Sequence, residues 1–348
     1  MTETPNHEIR LKTRPQGQVT PALFERVEVP VPVPGDGQVL LRVLFLSLDP
    51  AMRGWIADAP NYRDPVPLGA VMPGFTVSEV VASNHPDYAV GEIVAGRQGW
   101  REWALSDGSD IDRKLDPEAA PVSTSMHILG HTGLTAYLGL LETGQAKEGE
   151  TVVVSTAAGA VGSVVGQIAK IKGCRTVGLT GSDDKVRDCY GLYGYDAVIN
   201  YRSVPDLEAA IGEACPDGVD VYYDNVGGAI ADAVMPHLNV HARVVVVGTM
   251  AIDPGGATAD DPPPMGPRPN RHLLVKRARM EGFLVLDHLD RMVEAVEEMS
   301  GWLRSGRLAY REDVTNGLEA APGALVRLLK GENTGKVLVR VGEEPPGV

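Results

Sequence analysis

The stretch from Thr151 to Gly173 constrains this chain more than any other part of it. Val152-Val153-Val154-Ser155 is a short apolar run that reads as one buried strand. Ala157-Ala158-Gly159-Ala160-Val161-Gly162 follows, and residues 160–172 then read as an apolar helix ending at Gly173. The turn is a G-x-G-x-x-G pattern whose first glycine is replaced by Ala157. Gly159 lets a backbone approach a pyrophosphate, and Gly162 lets the helix pack closely on the strand. The helix start then offers N–H groups and a positive dipole end to an anion. Glycines alone carry little weight in a chain with 40 of them; strand before and helix after give the pattern its meaning.

The rest of the chain fits around that unit. Strands at 176–180, 197–200, 219–223 and 243–248 alternate with helices at 183–193 and 206–213. This predicts an α/β fold with a Rossmann-type doubly wound parallel sheet. The first 125 residues read instead as β-rich, with short runs such as 39–45 and 77–81 between Gly, Pro and Asp clusters. The expected division is a β-rich domain over 1–125, a nucleotide-binding domain over 126–306 and a return of residues 307–348 to the first. Residues 253–271, rich in Pro, Gly and Asp, read as a long exposed loop, and residues 288–305 as an amphipathic helix.

The second strand of the nucleotide domain selects the cofactor. A dinucleotide site specific for NAD places an acid about 20 residues beyond the glycines, against the ribose 2′-hydroxyl. Here the strand ends in Thr180-Gly181-Ser182-Asp183-Asp184-Lys185. Gly181 leaves room for a 2′-phosphate, Ser182 can donate to it and Lys185 supplies positive charge, so NADP(H) is expected over NAD. Asp183 and Asp184 suit the first turn of a helix.

Other chemistries lack support. The net charge of −14 disfavours nonspecific binding to nucleic acid or anionic membrane, and no window of about 18 apolar residues appears. Cys174, Cys189 and Cys215 form no C-x-x-C pair, and the eight histidines are scattered and suit surface or capping positions, so no metal site is expected. The N-terminus shows no apolar targeting stretch, and the expectation is a soluble cytoplasmic protein. G-x-S-x-G and Walker A patterns are absent, leaving the chemistry to the cofactor.

A β-rich first domain, a nucleotide domain and a returning tail resemble the medium-chain dehydrogenase/reductases. The segment Gly74-Phe75-Thr76-Val77-Ser78-Glu79-Val80 lacks the ligands of the zinc members. Among zinc-free members the chain is similar to the NADPH-dependent alkenal/one double-bond reductases, including prostaglandin and curcumin/dihydrocurcumin reductases. The similarity lies in the segments 47–54, 130–137, 157–170, 181–185, 224–228 and 329–336. It implies a GroES-like fold for the first domain, NADPH-dependent reduction of the C=C bond of an enone or enal, and a homodimer.

The resemblance also places residues. Ala158, Gly159, Ala160, Val161 and Gly162 would hold the pyrophosphate, and Gly181, Ser182, Lys185 and Tyr201 the adenosine phosphate end. Asn225, Val247, Gly248, Thr249 and Met250 would line the nicotinamide side. Phe283, Leu284 and Val285 would follow the cofactor, with Asn333 and Gly335 reaching it from the tail. Two tyrosines that border the substrate in the family are missing, replaced by Ala51 and, counting five residues from Gly248, by Asp253. Tyr62 is either a replacement phenol or a packed loop residue, and Thr249 is the other candidate proton donor. A quinone reductase using the same cofactor, or an NADPH-binding protein without turnover, are the alternative readings.

Overall fold

The structure, a computed structural model, describes residues 5–59, 61–252 and 265–345. The chain divides into two units. The first holds residues up to Met126 together with Glu312–Val348, and the second holds His127–Asp253 and Pro262–Arg311.

The first unit begins with a hairpin of β1 (Asn6–Leu11) and β2 (Phe24–Val29). β3 (Val39–Ser47) is followed by a five-residue helix, α1 (Met52–Ile56), and by β4 (Thr76–Ser83), β5 (Ile93–Gly96), β6 (Trp103–Ser106) and β7 (Ile111–Leu115). β3 alternates between buried and half-buried residues at its start and is wholly buried from Val43 to Ser47, so both of its faces are covered there. The apolar side of α1, Met52, Trp55 and Ile56, packs with Leu46, Leu48 and Trp100.

The second unit opens with α2 (His131–Leu138), which passes into a π-helical turn over Gly139–Thr143 rather than running on as one α-helix. Its strands are β8 (Thr151–Ser155), β9 (Arg175–Thr180), β10 (Ala197–Asn200), β11 (Val219–Asp224), β12 (Leu238–Val246) and β13 (Arg279–Gly282). The interleaved helices are α3 (Gly162–Ile171), α4 (Asp183–Gly191), α5 (Leu207–Ala214), α6 (Gly228–Val234), α7 (Asn270–Lys276) and α8 (Met292–Arg304). The six strands lie in the order β10-β9-β8-β11-β12-β13, every pair parallel. β8 is buried along its whole length, as a central parallel strand must be. The chain winds one way from β8 and then returns to β11 on its other side; the two strands flank the switch point where open α/β sheets bind ligands.

α3 lies on β8 and β9 and also on α2, with Val164, Val165, Ile168 and Ala169 buried. At Gly166 an added Cβ would meet the Tyr195 ring at 2.2 Å, so the glycine lets that ring slide under the helix. The Tyr195 hydroxyl then donates to the Gly162 carbonyl at 2.6 Å, fixing the start of α3.

The last segment rejoins the first unit as β14 (Glu312–Asn316), α9 (Ala321–Leu329) and β15 (Lys336–Arg340). The sheet there runs β14-β15-β3-β4-β5-β7, with β6 also paired to β3. Part of the expected 253–271 loop lies outside the described residues; its end is already helical, since α7 starts at Asn270.

Candidate cofactor site

Every expected cofactor residue of the second unit follows the C-terminal end of one of its parallel strands. After β8, Thr156 takes the left-handed conformation with φ of 51°, which strains a β-branched residue. The turn closes as Gly159 N–H donates to the Thr156 carbonyl at 2.8 Å. A Cβ on Gly162 would stand 2.3 Å from the Thr156 oxygen and 2.9 Å from Ala157 Cα, so only glycine permits this approach of helix to turn. Ala157, in the place of the first motif glycine, is accommodated from across the sheet. A Cβ on Gly178 of β9 would meet the Ala157 methyl at 2.8 Å. Ala158 is buried, while Gly159, Ala160 and Val161 are half-buried at the mouth of α3. The first N–H groups of a helix have no partner within it, so this mouth suits a pyrophosphate.

His127 was not legible as part of this turn. Rather than lying on the surface, it is fully buried, with Nε2 3.1 Å from the Ala160 carbonyl. Facing a carbonyl, that nitrogen carries the ring proton and donates it. The Tyr310 ring and the imidazole meet in a T-shaped contact, ring centroids 6.1 Å apart.

At the end of β9, Ser182 caps α4, its hydroxyl oxygen accepting from the Lys185 N–H at 3.4 Å. A Cβ on Gly181 would lie 2.6 Å from the Tyr201 hydroxyl and 3.3 Å from Arg202 Nε. Gly181, Tyr201 and Arg202 are thus brought together, with Ser182 and Lys185 at the start of the adjoining helix. Burial holds the Lys185 ammonium below its ordinary pKa, and the neighbouring Arg202 guanidinium acts in the same direction. An incoming dianion would relieve that like-charge repulsion. The acids beside this pocket are engaged elsewhere: Asp183 accepts from Asn200 at 2.7 Å, and Asp184 pairs with Arg187. Arg202 stands in this cluster although sequence reasoning did not single it out; its only signal was its place in Asn200-Tyr201-Arg202, after a strand.

On the other side of the switch point Asn225 is held by Ser155 through two hydrogen bonds. Its backbone N–H donates to Ser155 Oγ at 2.8 Å and its amide to the Ser155 carbonyl at 2.7 Å. Buried Asp224 accepts from Tyr222 at 2.9 Å and from the N–H groups of Val226 and Gly227 at 3.0 and 2.8 Å, stiffening the turn. Val247 and Gly248 N–H both donate to the Asp224 carbonyl, and a Cβ on Gly248 would stand 2.2 Å from the Asn225 oxygen. Thr249 is exposed and Met250 half-buried just beyond. Phe283 continues β13, its N–H donating to the Val246 carbonyl at 2.9 Å, and its ring stacks on His288. Leu284 and Val285 follow as half-buried and buried residues.

The remaining expected residues, Asp253 apart, belong to the first unit. Ala51 is exposed at the start of α1. The Tyr62 phenol accepts from the Trp55 indole N–H at 2.6 Å. Buried Asn333 donates to the carbonyl of Gly335 at 2.7 Å, closing its own turn. Next to it Lys336 is buried as an ion pair with Asp49, Nζ to Oδ1 2.5 Å. Asp253 lies outside the described residues. Among the described residues no three His, Cys, Asp or Glu side chains are placed to hold a metal ion, and no helix is long and apolar enough to cross a membrane.

Two family models match the chain: an N-terminal domain of oxidoreductases over residues 7–113 and a zinc-binding dehydrogenase domain over residues 160–301. The NADPH-dependent curcumin reductase of Escherichia coli is 46% identical over 333 residues, covering 95% of this chain and 95% of that protein. Prostaglandin reductase 1 of Oryctolagus cuniculus is 41% identical, covering 94% of this chain and 90% of its own length. The crystal structure of CurA from Vibrio vulnificus in complex with NADPH superposes with a TM-score of 0.90 at 40% identity, over 97% of this chain and 100% of that one.

Proposed function

This chain belongs to the zinc-independent medium-chain dehydrogenase/reductases that include the NADPH-dependent curcumin and prostaglandin reductases, and on that premise we propose that it reduces the activated C=C bond of α,β-unsaturated aldehydes and ketones. The observation that carries the reading is the glycine-lined mouth of α3 beside the cationic pocket of Lys185 and Arg202. Together they suit a dinucleotide with a phosphate on its adenosine ribose.

NADPH, when bound, supplies a hydride. The chain's residues do the rest. Gly159 and Gly162 keep the α3 mouth open to the pyrophosphate, and His127 fixes the Ala160 carbonyl behind it. Ser182, Lys185, Tyr201 and Arg202 take the ribose phosphate. Asn225, pinned by Ser155, and the backbone of Val247 to Met250 border the nicotinamide end. As hydride adds to the β-carbon of an enone, its carbonyl oxygen gains negative charge that a hydroxyl, a backbone N–H, water or the cofactor ribose can meet, and a proton taken up at the α-carbon completes the reduction; among side-chain hydroxyls two are candidates. We assign that task to Tyr62 and Thr249, and the borders of the substrate site to Ala51, Tyr62 and Asp253.

The first domain, residues 1–125 with the returning 307–348, is then the GroES-like substrate domain, and residues 126–306 the NADP-binding domain. We further assign a homodimer in the cytoplasm, with no nucleic-acid or membrane partner. Support for the dimer comes from β13, an edge strand whose four residues are all exposed. Leu274 and Val275 of α7 and Met280 of β13 itself are exposed apolar side chains on neighbouring elements. Such an edge is a ready template for pairing with a second copy.

The test is steady-state NADPH oxidation with a panel of enones and a panel of quinones, with product analysis. A saturated carbonyl product supports the proposal. A hydroquinone as the favoured product makes the protein a quinone reductase. Tight NADPH binding without turnover on either panel makes it a binding protein.

A further inference from the structure

We propose that Trp55 is a positioning residue that holds Tyr62 as a proton donor; this rests on the assignment of Tyr62 as the phenol facing the substrate oxygen. The missing family tyrosine leaves Ala51 at the head of α1, and Trp55 stands four residues on, over the same helical face. Its backbone N–H donates to the Ala51 carbonyl at 3.2 Å. Trp55 is 6% exposed and packs into the core with Met52 and Ile56, so its indole is a fixed point.

Three contacts tie the following loop to that point. The Trp55 carbonyl accepts from the Val66 N–H at 2.8 Å, its indole N–H donates to the Tyr62 oxygen at 2.6 Å, and the Arg63 guanidinium lies 4.7 Å over its ring. Tyr62 is otherwise half in solvent, at 49% exposure. An indole N–H can only donate, so the phenol oxygen is the acceptor and its own O–H proton is left for another partner. An oxygen that already accepts a hydrogen bond releases its proton more readily, because the same bond steadies the phenolate.

The surrounding charges set the balance. Burial raises the Tyr62 pKa most; the Trp55 hydrogen bond lowers it, the Asp49 carboxylate raises it, and Arg63 lowers it. Asp49 is tied to Lys336 at 2.5 Å and to Ser47 at 2.6 Å, so its charge is largely matched. Trp55 and Arg63 therefore act together, on the orientation and the acidity of the same phenol.

The experiment compares four proteins with NADPH and methyl vinyl ketone as the probe substrate: wild type, Tyr62→Phe, Trp55→Phe, and the double variant. A fifth carries benzothienylalanine at position 55, which keeps the shape of the indole and lacks the N–H. Tyr62→Phe should lower kcat about tenfold. Trp55→Phe and the benzothienyl protein should lower kcat severalfold, leave KM for NADPH unchanged and move the alkaline limb of the kcat–pH profile upward. The double variant should be no worse than Tyr62→Phe. If Tyr62→Phe retains full kcat, the assignment of Tyr62 fails and the role of Trp55 with it. If Tyr62→Phe is impaired while the benzothienyl protein keeps wild-type kcat and pH profile, Tyr62 stands and the positioning role is overturned. An additive loss in the double variant also overturns it, because Trp55 would then act through something other than the phenol.

Discussion

Replacing Lys185 by alanine separates the two nicotinamide cofactors. The ammonium sits at the first turn of α4, behind the Ser182 cap and near Arg202. Burial and the neighbouring Arg202 guanidinium both lower the Lys185 pKa in the folded protein, and a ribose 2′-phosphate is the group that would match the two charges. A hydrogen bond to a charged group is worth about 1.5–3 kcal/mol. At about 1.4 kcal/mol per tenfold, Lys185→Ala should weaken NADPH binding by about 10- to 150-fold. NADH carries no phosphate at that position, and its affinity should change by less than about twofold. Arg202 is exposed, so its substitution by alanine should cost NADPH only about two- to fivefold, in line with a screened surface pair. Quenching of protein fluorescence, titrated with each nucleotide into the wild type and both variants at low and at high salt, measures these constants. The NADPH penalty should shrink as salt rises. An equal loss for NADH and NADPH would refute the placement of the phosphate at Lys185.

Three other perturbations probe the fold around the site. Gly162→Ala forces a methyl against the Thr156 and Ala157 backbone, which cannot yield as a flexible side chain would. It should cost about 1–3 kcal/mol of stability in urea unfolding and weaken NADPH binding as well. His127→Phe keeps a buried ring and removes the donor to Ala160, so stability should fall by about 1–3 kcal/mol and NADPH affinity should drop several-fold. Unchanged affinity would detach His127 from the turn. The buried thiols set an alkaline limit: burial pushes Cys174 and Cys215 up to about 11 and Cys189 up to about 12 from an ordinary 9.0. Above about pH 9 the unfolded chain loses these protons while the folded chain keeps them, so stability should decline from there until the folded pKa values are reached. A stability flat between pH 9 and 11 would contradict this.

What the sequence made legible follows the physics of each element. β8 and α3 were plain because a wholly buried strand and a helix with a broad apolar side leave strong patterns. β13, four exposed residues with no alternation, leaves none; only its pairing with β12 makes it a strand. α6 is preceded by Gly227 and begins at Gly228, at φ of 70° and 62°, a pair that reads as a turn, and α7 has no buried residue to set a period. β12 is longer than expected because it starts at Leu238 and runs through His241, whose φ of 68° belongs to no regular strand. In the site, the glycines were readable because a missing side chain is itself the signal. His127 was not, since its partner is a backbone carbonyl 33 residues on, and nothing in a lone histidine announces it. The indole of Trp55 was equally silent: its bond to Tyr62 depends on how the loop after α1 folds back.

Calorimetric titration of NADPH into the wild-type protein and into Gly159→Asp tests the nucleotide site most directly. A Cβ at Gly159 would lie 3.1 Å from the Thr156 carbonyl oxygen, a tight contact that a backbone shift of a few tenths of an ångström relieves, so the fold should survive with a small loss of stability while the added carboxylate repels the pyrophosphate. The expected result is one NADPH per wild-type chain, and no binding to a variant that still unfolds cooperatively. Heat from neither NADPH nor NADH in the wild type, or undiminished binding in Gly159→Asp, would contradict it.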